Sequence, residues 1–224
     1  MTSSSPTSSS SKVLKRKKSS LSELKITILG DRNVGKSALV VRYLTRRYIM
    51  EYEHNIDNRH KYEILIDGEP IIFDILDSSS PSSLCIDNID ISSQTCDLLV
   101  LMYSITDRQS FIYAKDLLKH FAQQKSSTGT SIPLIAIVGN KSDLVHLRQV
   151  SVEEGEILCT EYSELTALYY GEVSVADQLV HQLFIDLFRW VKKNKVVHKS
   201  LTPSLLDRVV IGIKGSTGNG SAIG

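Results

Sequence analysis

Apolar positions along this chain change period several times, and each change marks an element. Leu24 to Leu29 is an apolar run of strand length. Ala38 to Tyr43 follows with Leu39, Val40 and Tyr43/Leu44 at helical spacing. Thr45 to Arg59 is polar and irregular. His60 to Ile66 alternates as a strand, Asp67-Gly68 has the composition of a hairpin turn, and Ile71 to Leu76 is the returning strand, closed by Asp77. Ser78 to Thr95 is a Ser-rich connection with little period. Cys96 to Tyr103 and Pro133 to Gly139 are nearly continuous in apolar residues, as strands covered on both faces are. Between them Ser110 to Gln124 reads as a helix with Phe111, Ala114, Leu117/Leu118 and Phe121 on one face. Ser151-Val-Glu-Glu154 is a capping box that opens another helix. A short strand is expected at Tyr162 to Leu165. Val175 to Lys193 reads as a long amphipathic helix with Leu179/Val180, Leu183/Phe184, Leu187 and Val191 facing inward.

Strands alternating with helices predict an α/β domain. The expected sheet is six-stranded and mostly parallel, with one antiparallel edge strand and helices on both faces. The pattern confines it to residues 23–193. Residues 1–22 are Ser-rich and basic and are expected to be disordered. Residues 194–224, punctuated by Gly and Ser, are expected to be a flexible tail in which the apolar stretch Val209 to Ile213 could dock transiently.

Charge sharpens that division. The formal total is +1, residues 1–20 carry +5 and residues 194–224 carry +3, which leaves −7 for the part between. An acidic folded part argues against a nucleic-acid binder. Lys12 to Lys18 is compatible with an acidic membrane surface, an import receptor or a solubilising tail. The three cysteines, Cys85, Cys96 and Cys159, have neither metal spacing nor a disulfide framework, so a reducing, cytoplasmic setting is expected. No apolar run is long enough to span a bilayer, and no apolar segment follows the N-terminal basic residues as in a secretory signal. Position 2 is not Gly and the last four residues lack Cys, so no lipid anchor is expected. Membrane contact would then be electrostatic, with a peripheral or nuclear pool open as alternatives.

Chemistry concentrates at strand ends. Gly30-Asp31-Arg32-Asn33-Val34-Gly35-Lys36-Ser37 has the spacing of a phosphate-binding loop, between a strand and a helix that includes Ala38. Its glycines let backbone N–H groups turn toward phosphate oxygens, and the helix N-terminus adds positive potential. Lys36 would reach the outer phosphates and Ser37 would ligate Mg²⁺. Asp77 ends another strand. Asn140-Lys141-Ser142-Asp143 ends a third. A carboxylate at Asp143 suits guanine, which offers N1–H and N2–H₂ side by side. Adenine has no donor at N1 and would leave that carboxylate unpaired, a penalty on the order of several kcal/mol. This disfavours an ATP-dependent phosphoryl transferase. The Lys141 stem can cover the base, and Asn140 can tie the base loop to the phosphate loop. The six histidines show no catalytic pairing.

With these motifs in place, residues 24–193 resemble a Ras-superfamily small GTPase. Val34 to Thr45 and Arg148 to Glu156 resemble most the branch of the Ras-related and estrogen-regulated growth inhibitor. The resemblance implies a P-loop NTPase fold of the Ras-like G domain type, GTP or GDP with Mg²⁺ as cofactors, and GTP hydrolysis. It also implies effector proteins bound through two switch segments, 46–59 and 78–95, on a chain expected to be a monomer. By position, Tyr48 matches the aromatic that packs edge-on to the base. Thr166-Ala167 matches the pair whose backbone touches guanine O6, with Leu168 where the family usually has Lys. Asn55 stands at the first-switch Thr that closes on Mg²⁺. Departures cluster at the γ-phosphate. Asp77-Ser78-Ser79-Ser80-Pro81 replaces Asp-Thr-Ala-Gly-Gln, so Pro81 occupies the water-orienting position with neither a polar side chain nor an N–H. Arg32 stands where Ras proteins usually have Gly. Impaired hydrolysis is therefore expected, and the alternative is a pseudo-GTPase interaction module that does not cycle.

Overall fold

A computed structural model describes residues 22–45, 58–78, 96–129 and 131–201, without side-chain detail for 58 and 196–201. Its strands are β1 (Ser22–Gly30), β2 (Asn58–Ile66), β3 (Glu69–Asp77), β4 (Leu98–Ser104), β5 (Leu134–Asn140) and β6 (Leu168–Val173). Its α-helices are α1 (Lys36–Thr45), α2 (Arg108–Thr128), α3 (Val152–Glu161) and α4 (Val180–Leu201), with a short 3-10 turn at Val145–Leu147. The sheet order is β2-β3-β1-β4-β5-β6, and only the β2–β3 pair is antiparallel. The Asp67-Gly68 turn has positive φ at both residues (52° and 80°), the geometry that lets a two-residue hairpin follow strand twist.

Each strand sends alternate residues to opposite faces, and each face has its own helices. Ile26, Ile28, Phe73, Ile75, Val100, Met102 and Val138 pack under α1 and α4. Leu29, Leu99, Leu101, Tyr103, Ile135 and Ile137 pack under α2 and α3. β4 and β5 are buried along their whole length, which explains their unbroken apolar runs. On the first face Tyr43 of α1 stacks on Phe184 of α4, ring centres 4.0 Å apart. Across the hairpin, Arg189 and Lys192 of α4 meet Asp67 (2.6 Å) and Glu69 (2.7 Å). On the second face the predicted apolar stripe of α2 is buried in full, and Asp107 caps its N-terminus.

Two elements differ from the sequence expectation. Residues 162–165 are not a strand. Tyr162 closes α3, its N–H donating to the Leu158 carbonyl, and Leu165 N–H turns back to Tyr162. The sixth strand starts at Leu168, where aromatic and aliphatic residues recur. The final helix begins at Val180 rather than Val175 and continues past Lys193, into the stretch expected to be tail. Leu179 precedes it and is 64% exposed, so it does not face inward. Among the described residues no helix is long and apolar enough to cross a membrane.

The capping box on α3 has the expected reciprocal geometry. Glu154 N–H donates to Ser151 Oγ at 3.3 Å, and Ser151 N–H donates to Glu154 Oε2 at 3.0 Å. The Arg108 guanidinium, 2.6 Å away, is the larger influence, and with the Ser151 N–H it holds the Glu154 carboxyl down at about 2. A folded pKa below the ordinary 4.5 means that the contact stabilises above about pH 4.5 and is lost as pH falls toward 2. Thermal midpoints measured across that window should fall for the unsubstituted chain and fall less for Glu154→Gln. Parallel curves would contradict this assignment.

Candidate functional site

The carboxyl ends of β1, β3, β5 and β6 share one edge of the sheet, because these strands run parallel. At β1 the chain leaves the sheet at Gly30, where a Cβ would collide with the Met102 carbonyl oxygen of β4. Gly35 has φ 97°, and a Cβ there would strike the Asn140 carboxamide. Asn33, with φ 59°, also lies in the left-handed region. The loop between the glycines is therefore tightly curled against its neighbours. Lys36, the first residue of α1, folds back over it and donates to the carbonyls of Gly30 (3.1 Å) and Asp31 (2.9 Å). Burial depresses the Lys36 pKa, and the carboxylates of Asp77 and Asp31 act in the opposite direction. An ammonium that is desolvated yet kept near carboxylates, at a helix N-terminus, suits a polyanionic ligand. Ser37 and Ala38 follow in the first turn of α1 and are half-buried. Arg32 is exposed, and its N–H donates to Asp31 Oδ1 at 2.7 Å.

Asp77 ends β3 opposite Ile28 of β1 and is buried. Ser78 then hooks onto the Ile28 carbonyl through its Oγ at 2.7 Å. This places a carboxylate one strand away from the loop that carries Lys36 and Ser37.

At the end of β5, Asn140 is 2% exposed and its carboxamide joins two loops. Its Nδ2 donates to the Val34 carbonyl at 2.7 Å, and its Oδ1 accepts the Val175 N–H at 3.3 Å. Lys141 takes φ 65°, turning the chain sharply, and Ser142 N–H donates to the Val173 carbonyl at 3.2 Å. Asp143 is exposed at the mouth of this turn. Behind it, Arg148 grips Glu172 of β6 with two bonds of 2.7 Å, and Tyr170 donates to the same carboxylate at 2.9 Å. Burial pushes the neighbouring Tyr103 hydroxyl up to about 12.

The fold thus brings Gly30 to Ala38, Asp77 and Asn140 to Asp143 to one edge. It does not bring Thr166 and Ala167 there. They precede β6, and the Ala167 carbonyl accepts the Ile135 N–H at the entry of β5, the opposite end of the sheet. The segment that adjoins Asn140 is Ser174 to Ala176, after β6. The expected strand at Tyr162 to Leu165 lies too early in the chain, and the loop expected after it shifts by the same amount. The available signal was the β-prone run Leu168 to Val173 followed by Ser174. Tyr48, Asn55 and Pro81 lie outside the described residues.

Comparison with known proteins agrees with this arrangement. The sequence model of the Ras family matches residues 25–193. The chain is 37% identical over 174 residues to Ras-like protein family member 11B of Danio rerio, covering 73% of this chain and 69% of that protein. It is 36% identical over 180 residues to the Ras-related and estrogen-regulated growth inhibitor of Homo sapiens, covering 78% and 84% respectively. Ras-like protein family member 11A-like of Danio rerio is 40% identical over 179 residues, covering 76% and 68%. A curled Gly30–Ser37 loop, a buried Asn140 that binds it and a match over most of the sheet together place this chain in the Ras family, as a Ras-type GTP-binding protein.

Proposed function

We propose that this chain is a guanine-nucleotide switch that binds GTP and GDP with Mg²⁺ and hydrolyses GTP slowly. The observation that carries the binding half is the Asn140 carboxamide, 2.7 Å from the Val34 carbonyl. It fixes the distance between a phosphate cradle and a base pocket before any ligand arrives. The backbone N–H groups of residues 31–37 and the Lys36 ammonium hold the phosphates. The Asp143 carboxylate accepts from guanine N1–H and N2–H₂, and the loop Ser174 to Ala176 lies at the 6-position of the base. Tyr48 packs against the base edge. Ser37 and Asp77 hold Mg²⁺, with Asn55 as a neutral oxygen from the first switch. When bound, Mg²⁺ neutralises charge on the phosphate oxygens.

The slow-hydrolysis half rests on side chains. Pro81 cannot orient a water. Ser80 cannot take glycine-only angles cheaply next to it. Arg32, exposed on the phosphate loop, crowds the space from which an activating protein would insert an arginine. Such an arginine is worth roughly 10³–10⁵ in rate. Effectors would meet the chain through 46–59 and 78–95, and residues 12–18 would supply salt-sensitive contact with acidic membrane. A cytoplasmic location, and the monomeric state, belong to the same reading. The rewritten 78–81 segment favours a second reading, an interaction module that never cycles.

Two measurements test this. Isothermal titration should show GDP binding that Asp143→Ala weakens by at least about 100-fold, since it removes both base acceptors. ATP binding as tight as GDP, or no effect of the substitution, would refute the base assignment. Single-turnover hydrolysis of γ-labelled GTP should be slow and little stimulated by activating proteins. Arg32→Gly combined with Pro81→Gln should raise it at least about tenfold. A fast unsubstituted chain refutes slow hydrolysis. No GTP turnover in either form, with GTP bound, supports the second reading.

A further inference from the structure

The segment Ser174 to Asp177 is held from two sides, and only one of them belongs to the sheet. From below, Asn140 Oδ1 accepts the Val175 N–H. From the side, Arg42 of α1 donates through Nε to the Asp177 carbonyl at 3.2 Å and through Nη2 to the Ala176 carbonyl at 3.4 Å. Inside the segment, Ala176 N–H donates to Ser174 Oγ (3.1 Å) and Asp177 N–H to the Ser174 carbonyl (3.1 Å). α1 itself cannot drift. Leu39, Val40 and Tyr43 are buried, and Tyr43 stacks with both Phe184 and His181 of α4. Arg42 therefore projects from a rigid helix whose first turn carries Lys36 and Ser37.

We propose that Arg42 is a positioning residue for the base: from the phosphate-binding helix it holds the Ala176–Asp177 backbone, and so sets where the 174–177 loop meets the 6-position of the purine. This rests on the nucleotide-binding reading above. The physical reason is geometric. Ser174 and Val175 are anchored by burial, whereas Ala176 and Asp177 are exposed, and a planar guanidinium on their carbonyls restrains this outer half of the turn. It also joins phosphate occupancy to base recognition, since one helix touches both. Arg42 lies on the half-exposed side of α1, away from the core, so its loss removes the strut without leaving a cavity.

The test measures nucleotide dissociation from the full chain for GDP and for 6-thioguanosine diphosphate, which keeps N1–H and N2–H₂ for Asp143 and puts a weakly accepting sulfur in place of O6. The unsubstituted chain should release GDP more slowly. Arg42→Ala should raise the GDP rate about fivefold, the scale of two exposed charge-assisted hydrogen bonds, and the 6-thioguanosine diphosphate rate less than about twofold. Arg42→Lys, which reaches one carbonyl at a time, should restore part of the loss. An unchanged GDP rate in Arg42→Ala overturns the proposal alone. Equal acceleration of both nucleotides also overturns it, because that indicates a general loosening of α1. Failure of the unsubstituted chain to bind GDP overturns the nucleotide reading, and this proposal with it.

Discussion

A single carboxamide sits where three loops must agree on one geometry. Asn140 lies at the end of the buried strand β5, with its donor committed to the loop after β1 and its acceptor to the loop after β6. Neither bond faces bulk water, so leaving either partner unmade would cost on the order of 1–3 kcal/mol. That penalty makes the relative placement of the two loops a property of the folded core rather than of a bound ligand. Gly35 is the complement of this arrangement, since only a residue without Cβ leaves room for the Asn140 amide.

The sheet delivers these parts by its topology. Parallel strands put their carboxyl ends on one edge, and β1, at the centre, has neighbours that lead away on both sides. The two faces then do different work. The α1/α4 face, built on Tyr43, Phe73, Phe184 and Phe188, fixes the helix that starts at Lys36. The α2/α3 face carries a polar interior of Tyr103, Tyr170, Glu172 and Arg148 directly behind the Asn140 turn. Arg148 and Glu172 are mostly covered, at 21% and 15% exposed, and a half-buried pair of this kind is worth less as stability than as fixed register between β6 and the loop after β5.

Binding and turnover are unequally written in this molecule. On the proposed reading, the groups that would hold the phosphates and read the base from Asp143 project from strand ends and a helix start in the packed domain, while Tyr48 and Asn55 belong to 46–59. The groups that would activate a water belong to 46–59 and 78–95, and there the residue types themselves have changed, Pro81 and Asn55 among them. On the proposed reading, affinity would depend mainly on the core, and speed on these two stretches together with Arg32. Substitution in the second need not disturb the first.

Much of this was legible in the order of residues. Spacing alone marks Gly30 to Ser37 as a strand–loop–helix anion site, because only glycines and a helix start satisfy that backbone. Asp67-Gly68 and Ser151 to Glu154 are equally local, set by φ preference and by side chains that cap their own backbone. The unbroken apolar runs of β4 and β5 announce burial on both faces. What sequence could not fix was the position of the sixth strand. Leu165 is apolar and buried, yet it closes the turn that follows α3, and β6 starts only where Leu168 can pair with Ile135. Pairing is a contact between residues far apart in the chain, so local pattern sets this strand too early and puts the loop after it at Thr166 and Ala167. The same holds for Arg42 and Asn140. Their residue types are visible along the chain, but which carbonyl each reaches was decided only when α1, β5 and β6 came to share one edge.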